Sequence, residues 1–169
     1  MNNIILCGFM GCGKSTVGKN LARKTGRKFV DMDRYIENKA QKTVSEIFAE
    51  RGEDGFRDLE HEACTELANQ NNLIIAAGGG ALTFERNVKA FRGKDTIVLL
   101  DVPLGTIKYR LRNDKKRPLL QRPDKDAVMT ELYNSRYPQY RSAADIVIKG
   151  ENTPLKTAFS IIEQLKIKK

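Results

Sequence analysis

A chain of 169 residues, 40% hydrophobic and 30% charged, has the size and balance of one soluble globular domain. Cys7, Cys12 and Cys64 fit neither a disulfide framework nor a zinc-ligand spacing, and no apolar run approaches the ~20 residues of a membrane span. Thirty Lys and Arg against 21 Asp and Glu leave a charge of +9, which suits anionic partners, but aromatic residues are only 7% and are not interleaved with the basic ones, so a base-stacking platform for nucleic acid is not expected.

The chain opens on an apolar run, Asn3–Cys7, with no charged lead-in, so a cytoplasmic protein is expected. The run reads as a strand and leads into Gly8-Phe-Met-Gly-Cys-Gly13-Lys14-Ser15, which fits G-x-x-x-x-G-K-[ST]. Glycines there let successive backbone N–H groups turn onto phosphate oxygens, and the following helix adds its positive N-terminal end. Gly11, Cys12 and Gly13 form the tip of this loop; Lys14 is expected to reach the terminal phosphates, Ser15 to ligate Mg²⁺ and Thr16 to hold the α-phosphate. The helix runs over 14–25, with Val17 and Leu21 on one face and Gly26 as its stop. Nucleotide use is thereby indicated. A regulatory GTPase is not, because its base-reading N-K-x-D segment is missing, and a helicase would need more chain.

The second strand, 28–31, ends in Val30-Asp31-Met32-Asp33. Asp31 is placed to join a Mg²⁺ shell, and Asp33 either takes a proton from an acceptor hydroxyl or caps the next helix. Thr43 and Glu46 form a capping box for a helix carrying Val44, Ile47 and Phe48. Phe56, Leu59, Ala63 and Leu67 recur at helical spacing on the next one, where Arg57 and Glu60 share a face at i, i+3. Spacing alone reads that pair as an exposed ion pair, and the lone His61 as a surface residue. A third strand over 73–77 runs into Gly78-Gly79-Gly80; three glycines in a row suit a close approach of backbone to ligand more than a plain turn.

The fourth strand, 96–100, is followed by Asp101, which competes with Asp31 as a metal ligand on sequence pattern. Leu104, Ile107 and Leu111 mark a helix after Pro103. The charged, two-proline segment 113–126 reads as a mobile excursion. Tyr133, Tyr137 and Tyr140 flank Pro138 and read as packing. A fifth strand lies over 145–148, and Thr153-Pro154 opens a last helix through Leu165. This βα alternation predicts an α/β fold: a five-stranded parallel sheet with helices on both faces, in three layers.

Taken in order, Gly8–Gly18, Asp31-Met-Asp33, Gly52-Glu-Asp-Gly-Phe-Arg-Asp-Leu-Glu60, Gly78–Gly80, Arg117-Pro-Leu-Leu120, and Arg136 with Tyr140 resemble the shikimate kinase family over nearly the whole chain. The resemblance implies a P-loop kinase fold in a single domain, with a core of 1–32, 61–112 and 127–169, an acceptor-binding segment 33–60 and a mobile lid 113–126. It implies phosphorylation of the 3-hydroxyl of shikimate by ATP with Mg²⁺, in aromatic amino-acid biosynthesis. Asp33 then holds the shikimate hydroxyls and assists proton removal, and Arg57 and Arg136 clamp the carboxylate. Gly78, Gly79 and Gly80 line the same pocket, Arg117 closes over the phosphates, Arg110 packs on the adenine, and Asp31 rather than Asp101 is on the metal side. The expected partners are ATP and shikimate, with no nucleic acid and no membrane, for a monomer. Two departures stand out: Glu151-Asn-Thr-Pro154 lies where relatives often carry an arginine near the adenine, and Cys12 replaces a less reactive residue.

Overall fold

The computed structural model describes residues 2–114, 122–150 and 153–167. Five strands form one parallel sheet in the order β2-β3-β1-β4-β5, and its central member, β1 (Ile4–Cys7), is buried along its whole length. Ile5 and Leu6 are both fully covered, and burying each contributes about 1.5–3 kcal/mol relative to exposure. A strand covered on both faces cannot alternate apolar and polar residues, which is why Ile-Ile-Leu-Cys is continuous. β3 (Leu73–Ala76) and β4 (Thr96–Asp101) flank it with the same character; β2 (Lys28–Asp31) and β5 (Ile146–Lys149) form the edges and are partly exposed.

Helices α1 (Lys14–Thr25), α2 (Met32–Ala40), α3 (Val44–Ala68), α4 (Glu85–Phe91), α5 (Leu104–Leu111), α6 (Lys125–Ala143) and α7 (Pro154–Gln164) cover the sheet. The capping box of Thr43 and Glu46 is formed as the sequence predicts, and Thr153 caps α7 with Pro154 in its first turn. The two helices expected around Gly52 run on as one, α3, broken where Gly52 adopts φ 68°. The second strand ends at Asp31, whose side chain accepts from Arg34 N at 3.4 Å and caps α2. The helix cap is therefore Asp31 and not Asp33, which lies in the first turn of α2. A short helix, α4, and the 3₁₀ turn Ala81–Thr83 before it were not foreseen.

The register explains why distant segments meet. Asp31 pairs with Ala76 across β2 and β3, and Leu6 pairs with Ala76 across β1 and β3. The phosphate loop after β1, the acidic pair after β2 and the glycine triplet after β3 therefore leave the same edge of the sheet side by side, with the glycines in the middle. Carboxyl ends of parallel strands are where open α/β sheets take ligands. At the opposite edge the buried Asn3 closes the sheet: its side-chain oxygen accepts from Leu73 N at 3.0 Å and its amide donates to Gln70 O at 2.9 Å.

Candidate active site

Gly13 sits at φ 99°, a left-handed geometry that costs an L side chain but not glycine, and it turns the chain directly into α1. Lys14 Nζ donates to the carbonyls of Gly8 at 2.7 Å and Phe9 at 3.1 Å, and approaches Cys12 Sγ at 3.7 Å. The ammonium is thus folded over the loop that a phosphate would fill. Ser15 Oγ donates to Asp31 Oδ2 at 2.7 Å, which brings a hydroxyl and a carboxylate together beside Lys14. Asp101 has a different neighbourhood: it lies with Phe9, Tyr133 and Tyr137 in a separate crevice and is hydrogen-bonded to Tyr137. Of the two competing carboxylates, Asp31 is the one at the phosphate loop.

A cleft of about 500 Å³ runs from this loop to a second cluster of charges. Gly11, Gly13, Lys14, Ser15, Thr16 and Asp31 line one end; Asp33, Arg57, Glu60, Gly79, Gly80 and Arg136 line the other, with Val44, Phe48 and Phe56 as an apolar wall. Gly78 is packed between two carboxylates, since a Cβ there would stand 2.8 Å from Asp33 Oδ1 and 2.9 Å from Glu60 Oε1. Three elements thus deliver side chains to one place: Asp33 from α2, Arg57 and Glu60 from α3, Arg136 from α6.

Arg57 and Glu60 are not the exposed pair their spacing suggests. Glu60 is 1% exposed, and its Oε2 accepts from Arg57 Nη1 at 2.6 Å; Arg57 Nη2 reaches Glu53 Oε1 at 3.1 Å. The guanidinium carbon lies 5.6 Å from the Phe56 ring centre and 5.3 Å from that of Phe84, so its position is fixed on several sides. Burial pushes the Glu60 carboxyl above the ordinary glutamate range, although Arg57 pulls the other way; Asp33 and Arg136 also act on it. Burial opposes the Arg57 charge too, but Glu60 and Glu53 outweigh that and hold its pKa above the usual arginine value. Two guanidiniums beside Asp33 in a half-closed cleft make a site for an acid that also carries hydroxyls.

Gly80 approaches Arg57 so closely that a Cβ would meet Nη1 at 2.6 Å, so a larger residue there would displace the guanidinium. Arg110 is held by backbone: its guanidinium donates to Gly11 O and Cys12 O, both at 3.3 Å, and to Gly150 O at 3.4 Å. It braces the phosphate loop against the turn after β5. Cys12 is buried under the loop rather than lining the cleft, and Cys7 is buried in the core, where desolvation pushes its thiol up to about 12. Arg117 and half of the expected lid, residues 115–121, lie outside the described residues. His61, read as a surface residue, has a partner: its Nδ1 is 2.9 Å from Asn87 Oδ1, and Asn87 Nδ2 donates to Ala81 O at 2.8 Å, behind the glycine triplet. Nothing in the spacing of His61 and Asn87 announces this link, because α4 is short and was not foreseen. Glu53 likewise had no signal apart from its place in the Gly52–Glu60 run.

The donors near Ser15 suit a hard cation. Ser15 Oγ and Asp31 Oδ2 are both oxygen donors, and among the described residues no group of three or more His, Cys, Asp or Glu side chains gathers to hold a metal by protein alone. That pattern fits Mg²⁺, which is characteristically held by one or two protein oxygens together with water and nucleotide phosphates.

Comparison with known proteins agrees with this layout. The family model for shikimate kinase matches residues 10–166. The chain is 37% identical to a shikimate kinase of Psychrobacter cryohalolentis, over 96% of this chain and 88% of that one. It is 39% identical to a shikimate kinase of Sulfurihydrogenibium sp., over 98% and 99%. The solved structure of shikimate kinase from Acinetobacter baumannii in complex with shikimate superposes with a TM-score of 0.92 at 36% identity, covering 98% of this chain and 93% of that one. With a P-loop at one end of the cleft, a cluster of arginines and carboxylates at the other, and likeness on this scale along its length, the chain belongs to the shikimate kinase family.

Proposed function

We propose that this chain transfers the terminal phosphoryl group of ATP to the 3-hydroxyl of shikimate, giving shikimate 3-phosphate and ADP. The observation that carries the reading is the shared cleft: Lys14 and Ser15 at one end, Asp33, Arg57 and Arg136 at the other. Family membership supports the same reaction. Phosphoryl transfer asks a protein chiefly for positioning and for charge where the transferred group passes, and the cleft supplies both.

In this reading Lys14 leaves the carbonyls of Gly8 and Phe9 and pairs with the terminal phosphates. Arg57, held by Glu60, and Arg136 receive the shikimate carboxylate; fixed guanidiniums suit a planar carboxylate by paired hydrogen bonds. Asp33 accepts a hydrogen bond from the reacting hydroxyl and takes its proton as the oxygen attacks. Ser15 and Asp31 would hold Mg²⁺, which when bound offsets phosphate charge. The segment 113–126, with Arg117, would cover the cleft and keep water from accepting the phosphate. The protein would act as a monomer in the cytoplasm.

The test is ADP release by the purified chain with Mg·ATP and, in turn, shikimate, gluconate or a nucleoside monophosphate. Release dependent on shikimate alone is expected. Equal rates with gluconate or a nucleotide acceptor would overturn the substrate, and release with none of the three would leave a nucleotide binder without this activity.

A further inference from the structure

The glycine triplet is held by its carbonyls. Gly78 O accepts from Ala81 N at 3.1 Å, and Gly80 O accepts from Thr83 N at 3.2 Å and from Thr83 Oγ1 at 2.7 Å. Both ties are local. The Gly79 carbonyl is different: it accepts from the hydroxyl of Tyr140, sixty-one residues away on α6. Tyr140 is 2% exposed, one helical turn beyond Arg136 and on the same face, and the Arg136 charge acts on its oxygen. One buried hydroxyl therefore ties the middle of the glycine turn to the helix that carries Arg136.

This junction has a geometric consequence. In a trans peptide the C=O of one residue and the N–H of the next point in opposite directions. Holding the Gly79 carbonyl toward α6 turns the Gly80 N–H away from it. That N–H has no acceptor among the described residues. Gly79 and Gly80 both line the cleft, close to its guanidiniums: a Cβ on Gly80 would be 2.6 Å from Arg57 Nη1, and one on Gly79 would be 3.9 Å from Arg136 Nη1. An amide so placed adds a third donor, neutral and rigid, to a site with two charged ones.

Building on the acceptor reading above, we propose that Tyr140 is a positioning residue for the acceptor carboxylate, its hydroxyl fixing the Gly79 carbonyl and with it the glycine turn and the Gly80 N–H at the cleft. The hydroxyl is suited to a fixed donor role. Burial drives its pKa well above the ordinary tyrosine value against the pull of Arg136, so it keeps its proton at every pH where the protein works. The ring fills the core whether or not the oxygen is present, so the oxygen can be removed on its own.

The experiment is Tyr140→Phe. A lost neutral hydrogen bond has a net effect of about three- to tenfold on an equilibrium. The expected outcome is a rise of that size in KM for shikimate, with KM for ATP and kcat unchanged. A structural role alone would not give that split. In an Arg136→Ala background the effect of Tyr140→Phe should shrink, because the two act on one carboxylate. Unchanged KM for shikimate, or a parallel rise in both KM values, overturns the proposal. If the wild-type chain itself shows no shikimate-dependent ADP release, the acceptor reading has failed, which is a separate result. Should Tyr140→Phe not fold, amide NMR of the wild type decides: shikimate should shift the Gly80 N–H resonance strongly, and an unmoved Gly80 signal overturns the proposal.

Discussion

The two ends of the cleft are built differently. The phosphate end is mostly backbone from one contiguous run: Gly8 to Ser15 supply a loop, a helix N-terminus and one ammonium, and their order in the sequence is their order in space. The acceptor end is mostly side chains from α2, α3 and α6, brought together by sheet register and meeting at a glycine turn. Backbone binds whatever carries phosphate, whereas converging side chains select one shape. The difference teaches that damage to the first end should fall on turnover and nucleotide use, and damage to the second on acceptor affinity.

The sharpest way to break this contrast is at Asp33, the residue to which the proposed reaction gives a chemical task. Asp33→Asn should lower kcat about 10²–10⁴-fold, the range for a positioned general base, with the melting temperature held; an unchanged kcat in steady-state assay removes Asp33 from the reaction. Lys14→Met should come next, costing about 10²–10³-fold in kcat as one fixed charge facing the transferred group is lost, with shikimate binding by calorimetry intact. Arg136→Ala should cost about 10–100-fold in KM for shikimate, the worth of hydrogen bonds to a charged group, and leave KM for ATP in place. If Arg136→Ala instead raised both KM values alike, the two ends would not be separable as described.

Smaller effects bear on stability. Glu60→Ala leaves Arg57 without its buried counter-charge and should cost about 3–5 kcal/mol in denaturant unfolding. Glu60→Gln is the finer probe. Because the Glu60 carboxyl titrates above its ordinary 4.5 in the folded chain, the folded state holds that proton more tightly than the unfolded one. Its contribution to stability therefore falls as pH rises above that value, and the Gln variant should lack this component of the pH profile. Glu85→Gln, which removes an exposed partner of Arg92, should change the melting temperature too little to resolve.

The sequence reveals the two ends unequally for the same physical reason. The phosphate loop is legible because its chemistry requires fixed residue types at fixed spacing, and the strands because doubly covered strands must be continuous apolar runs. Arg57 with Glu60 shows the opposite case. Spacing of i, i+3 reads as a surface pair, and burial, which comes from packing against α4 and the glycine turn, makes it part of the site; only likeness to a family pointed there from sequence. Asp33 lost its capping role to Asp31 because the chain turns helical directly after the strand, two residues sooner than a cap at Asp33 requires. His61 and Asn87 were illegible, since one hydrogen bond between two helices leaves no periodic trace. Tyr140 was read as packing, which it is, but its hydroxyl also holds the Gly79 carbonyl, a link that periodicity cannot show.

The central claim is that nucleotide and acceptor meet across one cleft through the carboxylate of Asp33. Rapid-quench single turnover with enzyme in excess over ATP and saturating shikimate measures that step directly. Wild type should form shikimate 3-phosphate in one fast phase, and Asp33→Asn should bind both substrates with little change yet form product at least about a hundredfold more slowly. Equal single-turnover rates for the two proteins would contradict the account.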